Sequence, residues 1–428
     1  MKQLSISYLQ GRQILDSRGN PTVEAEVILS DGSVGRASVP SGASAGSHEA
    51  LELRDGDRVF YGGLSVMRAI SGIDNELNSA LVGMNALDQE QIDRTMIEVD
   101  GSADKDNLGA NAILAVSLAC ARAAAVGLRL PLYKYIGGCC LKRLPIPLMN
   151  VLNGGVHADN PLDVQEFMLC PYGFESYSRA LQAGVETYHA LKKTAQKQGY
   201  STNVGDEGGF APAVQNSVQA FDLLTQAILS AGYTPGEQIG IAIDAASSEF
   251  FDTETGRYRL DEELLSADEL IERYVEWTKA YPLVSIEDGC AEDDWDGWRK
   301  LTQRLRANCQ LVGDDLFVTN PKRLKRGIEE GIANSVLVKP NQIGTLSETF
   351  DTIRLAQKNR YTTIISHRSG ETDDTFIADL AVASHSSQIK TGAPCRSERT
   401  CKYNQLLRIE EALGDCAVYA GPSFPFSK

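Results

Sequence analysis

The sequence predicts an α/β barrel preceded by a smaller α+β domain, and three observations carry that expectation. Six short apolar runs in the second half each stop on a polar or charged residue: IGIAID at Asp244, LVSIE at Glu287, QLVGD at Asp314, SVLVK at Lys339, TTIISH at His367 and SSQIK at Lys390. Their endpoints fall roughly 23 to 43 residues apart, about the length of a strand, a loop and a helix. The opening third patterns differently, with PTVEAEVILSDGSVGRASVP alternating as an antiparallel hairpin that turns at Asp31-Gly32. Runs rich in Val, Ile and Leu suit strands buried on both faces of a parallel sheet. In a (β/α)₈ barrel such strands all end at one mouth, where the chemistry sits.

Taken in order, the hairpin gives way to helical periodicity from about Leu64 to Leu128, with Ile113, Val116, Cys120 and Ala123 on one stripe. LGANAILAVSLACARAAAVGL imitates a membrane span, but Asn111, Ser117 and Arg122 interrupt it, and its alanines suit a close-packed soluble helix. Gly137-Gly138 and the basic LKRLPIP then punctuate the chain. The expected division is therefore an α+β cap over residues 1–138 and a catalytic barrel over 139–428. The first barrel segments are less regular than the later six. PIPLMNVLNGG leads to His157 and Asn160, VQEFMLCP carries Gln165 and Glu166, and STNVGDEGGFAP sets Asp206 and Glu207 in a glycine-rich turn.

A chain of 428 residues is long enough for two domains, and its 43% hydrophobic and 23% charged content is that of an ordinary globular protein. A net charge of −16 argues against a nucleic-acid or anionic-membrane surface. An anionic substrate must then be captured by a local cationic pocket or by metal. The N-terminal stretch lacks the apolar core of a signal peptide, which leads to a cytoplasmic expectation. Nine cysteines without paired CxxC spacing, two of them adjacent at Cys139-Cys140, read as free thiols in a reducing compartment.

Asp244, Glu287 and Asp314 are hard oxygen donors at successive strand ends, the ligand type Mg²⁺ prefers. A single acid after a strand would more simply cap the next helix. Three together repel one another and call for a cation. Lys339 leaves an apolar strand, where burial and nearby cations would lower its pKa towards that of a usable base; a salt bridge to one of the carboxylates is the alternative. Arg368, Ser369 and Lys390 form an expected anion clamp, although Arg368 alone would also suit a rim ion pair. Glu166 and Glu207 supply the acid side, because a carboxyl donating near neutral pH needs the raised pKa that a neighbouring carboxylate provides. GASAG around Ser44 matches the GxSxG nucleophile elbow, but it follows Val39-Pro40 in the hairpin region, and a small-residue lid accounts for it better.

These residues sit within longer stretches: ILDSRGNPTVE, VPSGAS, ELRDGD, NGGVHADN, QEFM, VGDEGGFAP, IDAASSEF, SIEDGCAEDDW, LVGDDLFVTN, LVKPNQIGTL, ISHRSGETDD and IKTGAPCRSER. Together they resemble the enolase family, of bacterial type, from end to end. The resemblance implies an N-terminal α+β cap on a modified TIM-type barrel. It further implies a lyase carrying out the Mg²⁺-dependent, reversible dehydration of 2-phospho-D-glycerate to phosphoenolpyruvate in glycolysis and gluconeogenesis. Two Mg²⁺ ions are implied, one on Asp244, Glu287 and Asp314, the other taking oxygen from Ser44. Lys339 matches the base at C2, and Glu207, supported by Glu166, the acid at C3. Gln165, His367, Arg368, Ser369 and Lys390 match substrate-binding positions, and His157 a mobile loop of the catalytic set. A homo-oligomer, dimer or octamer, and a cytoplasmic location with a minor cell-surface fraction also follow from the resemblance. Ala45 departs from the family's usual Thr in the lid, Gly289-Cys290 replaces a Pro-Phe pair, and Pro340 follows the base lysine. A phosphonate analogue as substrate, and capture of Lys428 by a lysine-binding module, are the competing readings.

Overall fold

Buried and less buried positions alternate along part of the first sheet, over Ala25–Leu29 and Val34–Ala37, as a half-buried strand requires. Strands β1 (Ile6–Leu15), β2 (Pro21–Leu29) and β3 (Val34–Ser38) form an antiparallel sheet in that order. A computed structural model describes residues 4–42 and 46–427. Ser44, Ala45 and Lys428 lie outside the described residues.

Helices α1 (Gln89–Asp100) and α2 (Ala110–Gly127) follow. Val23, Ala25 and Val27 of β2 are fully buried in the sheet on which α2 packs. The contact is backbone to backbone: a Cβ on Gly35 of β3 would stand 2.2 Å from both Ala119 O and Ala123 N. Only alanine-sized residues on α2 and glycine on β3 permit that approach. The membrane-like composition of α2 thus has a soluble explanation, since 83% of the helix is buried inside the fold.

Among the described residues, eight strands close a barrel. They are β4 (Ile146–Asn153), β5 (Glu166–Cys170), β6 (Gly240–Asp244), β7 (Leu283–Glu287), β8 (Gln310–Gly313), β9 (Ser335–Val338), β10 (Thr362–Ser366) and β11 (Gln388–Lys390). Around the ring the order is β7-β8-β9-β10-β11-β4-β5-β6. The six runs read from the sequence are the strands β6 to β11, and each ends on its polar residue or one residue before it.

The expectation that every strand runs the same way needs correction at β5, which is antiparallel to both β4 and β6. A parallel return needs a crossover of about a dozen residues, usually a helix. The link from Asn153 to Glu166 contains only a single 3₁₀ turn, so the chain comes straight back as a neighbour. As a result, Glu166 begins its strand at the mouth where Asp244 ends the adjacent one, and the two are paired in register.

The cap is fastened over that mouth. Arg122 of α2 donates from both Nη atoms to the Asp374 carboxylate at 2.6 Å, and Asp93 of α1 accepts from Ser347 N at 2.9 Å. Ser41 and Gly370 exchange backbone hydrogen bonds of 2.8 and 2.9 Å, which ties the cap to the loop that follows β10. At the opposite end, the first residues of β8 to β11 close the floor. There Gln310 Nε2 donates to Ser335 Oγ, Thr362 Oγ1 and Gln388 Oε1 at 3.2, 2.8 and 2.6 Å.

Candidate active site

All of the sequence-selected residues within the described chain except Glu287 line one cleft at the mouth, and Glu287 sits just beneath it. The cleft encloses about 520 Å³ of atom-free space.

Its centre is a buried cation among acids. Lys390 Nζ lies 2.7 Å from Glu287, 3.1 Å from Glu166 and 3.2 Å from Asp244. Burial opposes its charge, but these carboxylates outweigh burial and hold the ammonium well above an ordinary lysine. Lys390 thus bridges three carboxylates at the mouth. Glu287 is itself pushed well up by burial and by Asp244.

Lys339 Nζ is paired with Asp314, whose other oxygen accepts from Gln342 Nε2 at 2.9 Å. Burial, Arg368 and Lys390 all pull its pKa down, as expected from the sequence, yet Asp314 and Glu287 prevail and hold it above an ordinary lysine. Asp314 also shares a group with Asp288 and Asp315, one oxygen of each lying within 4.8 Å of the others. Burial and the neighbouring carboxylates push Asp315 up to about 7.

The acid pair occupies the other side. Glu166, Glu207 and His157 bring their ligand atoms within 4.8 Å of one another, with His157 Nδ1 3.5 Å from Glu166 and 4.0 Å from Glu207. The two carboxyls are driven apart. Burial and the Glu207 charge raise Glu166 well above the usual range. Glu207 is buried too, but His367 and His157 hold it well below that range, and Asn150 Nδ2 donates to it at 2.9 Å. The resemblance gives the acid role to Glu207, while burial and charge favour Glu166 as the protonated member of the pair.

His367 is oriented from behind. Arg399 Nη1 lies 2.6 Å from His367 Nδ1, and a guanidinium can only donate. Nδ1 must therefore accept, so the ring proton sits on Nε2, which faces Glu207 Oε2 at 3.4 Å. Burial, helped by Arg399, lowers His367 to about 4 and keeps the ring neutral. Arg399 also bonds the carbonyls of Arg368 and Ser369, which fixes the backbone of that loop. Arg368 itself is paired with Glu49 at 2.9 and 3.3 Å. The rim ion pair foreseen as its alternative is thus formed, with a partner from the cap. Gln165 Nε2 reaches Asp244 at 3.5 Å, and Ser369 is buried beside Arg368.

Glu49, Asp288, Asp315 and Arg399 were not singled out from the sequence. The doubled acids in SIED and GDD were a usable signal for the two aspartates. Nothing local marks Glu49, whereas Arg399 ends the IKTGAPCRSER stretch.

The donor set fits a hard divalent cation. It is carboxylate and amide oxygen throughout, and Glu287 Oε2 and Gln165 Oε1 are buried without a hydrogen-bond partner among the described residues. Such oxygens carry a desolvation penalty that a bound cation relieves.

An eight-stranded barrel whose mouth gathers carboxylates, buried lysines and a split acid pair, under a cap of sheet and helices, defines a capped barrel enzyme. The family model described as the enolase N-terminal domain matches residues 6–136, and that of the enolase C-terminal TIM barrel domain matches residues 141–427. The chain belongs to the enolase family, lyase-type enzymes that use Mg²⁺ on a small-molecule substrate.

Proposed function

We propose that this chain catalyses the reversible dehydration of 2-phospho-D-glycerate to phosphoenolpyruvate. One observation carries the reading. Lys339 follows the third strand of the ring and Glu166 opens the seventh, so base and acid face each other across the mouth. That arrangement suits an elimination in which a proton leaves one face of the substrate and a hydroxyl the other.

Asp244, Glu287 and Asp314 are the residues that would hold Mg²⁺, with Ser44 as the oxygen proposed for a second ion. A bound cation would supply positive charge for a substrate carboxylate that gains negative charge. Lys339 Nζ, in its neutral form, takes the proton from C2. The C2–H electrons form the C2–C3 double bond as the C3–O bond breaks. The Glu166–Glu207 pair gives its proton to the departing oxygen, which leaves as water. His367 holds Glu207 as the anion that keeps the proton on Glu166. Arg368, Ser369, Gln165 and Lys390 orient the anionic groups, and Lys390 also draws Glu166, Asp244 and Glu287 together at the bottom of the mouth.

The test is phosphoenolpyruvate formation from 2-phosphoglycerate, followed by absorbance with added Mg²⁺ and then with chelator. The reading expects turnover that chelator abolishes and Mg²⁺ restores. No product, or undiminished turnover in chelator, would overturn it.

A further inference from the structure

We propose that the barrel floor, at the end opposite the mouth, carries a second site that binds a small, multiply charged oxyanion. A cleft enclosing about 840 Å³ of atom-free space opens where β10 and β11 begin. Three basic side chains line it, Arg143, Arg360 and His385, and no carboxylate is among its described lining residues. In a chain with a net charge of −16, an all-basic concavity is a local reversal of sign.

The backbone sets these groups side by side. Helices α3 (Leu346–Lys358) and α4 (Phe376–Ala383) each end shortly before a strand, and Arg360 and His385 occupy the connecting turns. Both adopt left-handed backbone, with φ of +63° and +54°. Glycine or asparagine is the usual occupant of such a position. The strands that follow, β10 and β11, are parallel neighbours, so the two turns are adjacent. Among the described residues, neither the Arg360 nor the His385 side chain makes a hydrogen bond or an ion pair. Arg143 is steadied by donating to Ser423 Oγ at 2.6 Å, which leaves further N–H groups of its guanidinium fork for a ligand. Phe424 and Pro425 form an apolar wall, so the cleft suits a compact anion rather than an extended polymer.

The site is separate from the catalytic mouth. It is lined by residues at the starts of strands whose far ends carry His367 and Lys390, and it shares no lining residue with the mouth. Phosphate-type and carboxylate-type ligands share the required chemistry, namely several oxygens with two or more negative charges.

The test is isothermal titration of the full-length protein with inorganic pyrophosphate, in chelator and at low salt. Three proteins are compared: the parent, the Arg360→Ala/His385→Ala double variant, and Arg368→Ala at the mouth. Loss of the Arg360 guanidinium and the His385 ring donor together should weaken binding at least about tenfold. The double variant should show that loss while keeping the parent's melting temperature and turnover, and Arg368→Ala should retain the pyrophosphate signal. Equal binding by parent and double variant, no binding by the parent, or loss of the whole signal in Arg368→Ala would each overturn the proposal.

Discussion

Replacing Lys339 with methionine separates its chemical role from its structural one. Lys339→Met removes the ammonium and keeps most of the stem. Asp314 then loses that partner but retains Gln342 Nε2 at 2.9 Å. Stripping one partner from a buried ion pair costs about 3–5 kcal/mol when nothing compensates. With Gln342 in place, the destabilisation should fall below that range, and the variant should fold. The chemical loss should be larger in effect. A positioned general base contributes about 10²- to 10⁴-fold, equivalent to about 3 to 6 kcal/mol at 1.4 kcal/mol per decade. Lys390, the other lysine among the described residues lining the cleft, is held by three carboxylates, so exchange should fall by the full factor. The assay is proton NMR of 2-phosphoglycerate in deuterated buffer with Mg²⁺, which follows loss of the C2 proton signal, with thermal melting as the control. Exchange at the parent rate by a folded variant would refute the assignment of the base.

Three further outcomes are expected. Asp244→Ala should raise the Mg²⁺ concentration for half-maximal turnover at least about tenfold, because it removes a charged oxygen ligand; an unchanged metal titration would exclude Asp244 from the donor set. Arg368→Ala should lower kcat/KM for 2-phosphoglycerate by roughly 30-fold to several thousand-fold, from about 2–5 kcal/mol for a desolvated charge partner, and an equal loss on a non-phosphorylated analogue would make Arg368 a structural residue. Asp379→Asn tests burial: Asp379 is pushed up to about 6 from 3.8, chiefly by burial. A carboxyl raised in the fold stabilises at low pH and loses that contribution as pH rises from about 4 to about 6. Asp379→Asn should therefore be more stable than the parent above pH 6, by at most about 3 kcal/mol at 1.36 kcal/mol per pKa unit. The difference should fade towards pH 4, and denaturant titrations at pH 4 and 7 with no change between them would contradict it.

Much of the barrel was legible because its strands are short, apolar and closed by polar residues, a pattern that depends only on neighbours in sequence. Asp244, Glu287, Lys339, His367 and Lys390 could be placed at one mouth on that basis. The direction of β5 was not legible, since it follows from the absence of a helix in a loop rich in Gly and Asn. Charge pairing was least legible of all. Arg368 meets Glu49 across 319 residues of sequence, and Lys390 settles among acids from three other strands. Arg399, which sets the His367 tautomer, lies on helix α5 (Ser397–Leu413) and closes the IKTGAPCRSER stretch, but nothing in that stretch shows that it reaches His367.

The central claim is that base and acid act from opposite sides of the mouth. It is tested most directly with 2-phosphoglycerate carrying deuterium stereospecifically at C3, by reading the geometry of the labelled phosphoenolpyruvate by NMR. Lys339 and Glu166 stand on opposing strands of the ring, so the account predicts a single isomer, the one formed by anti elimination. The syn isomer, or a mixture of the two, would contradict it.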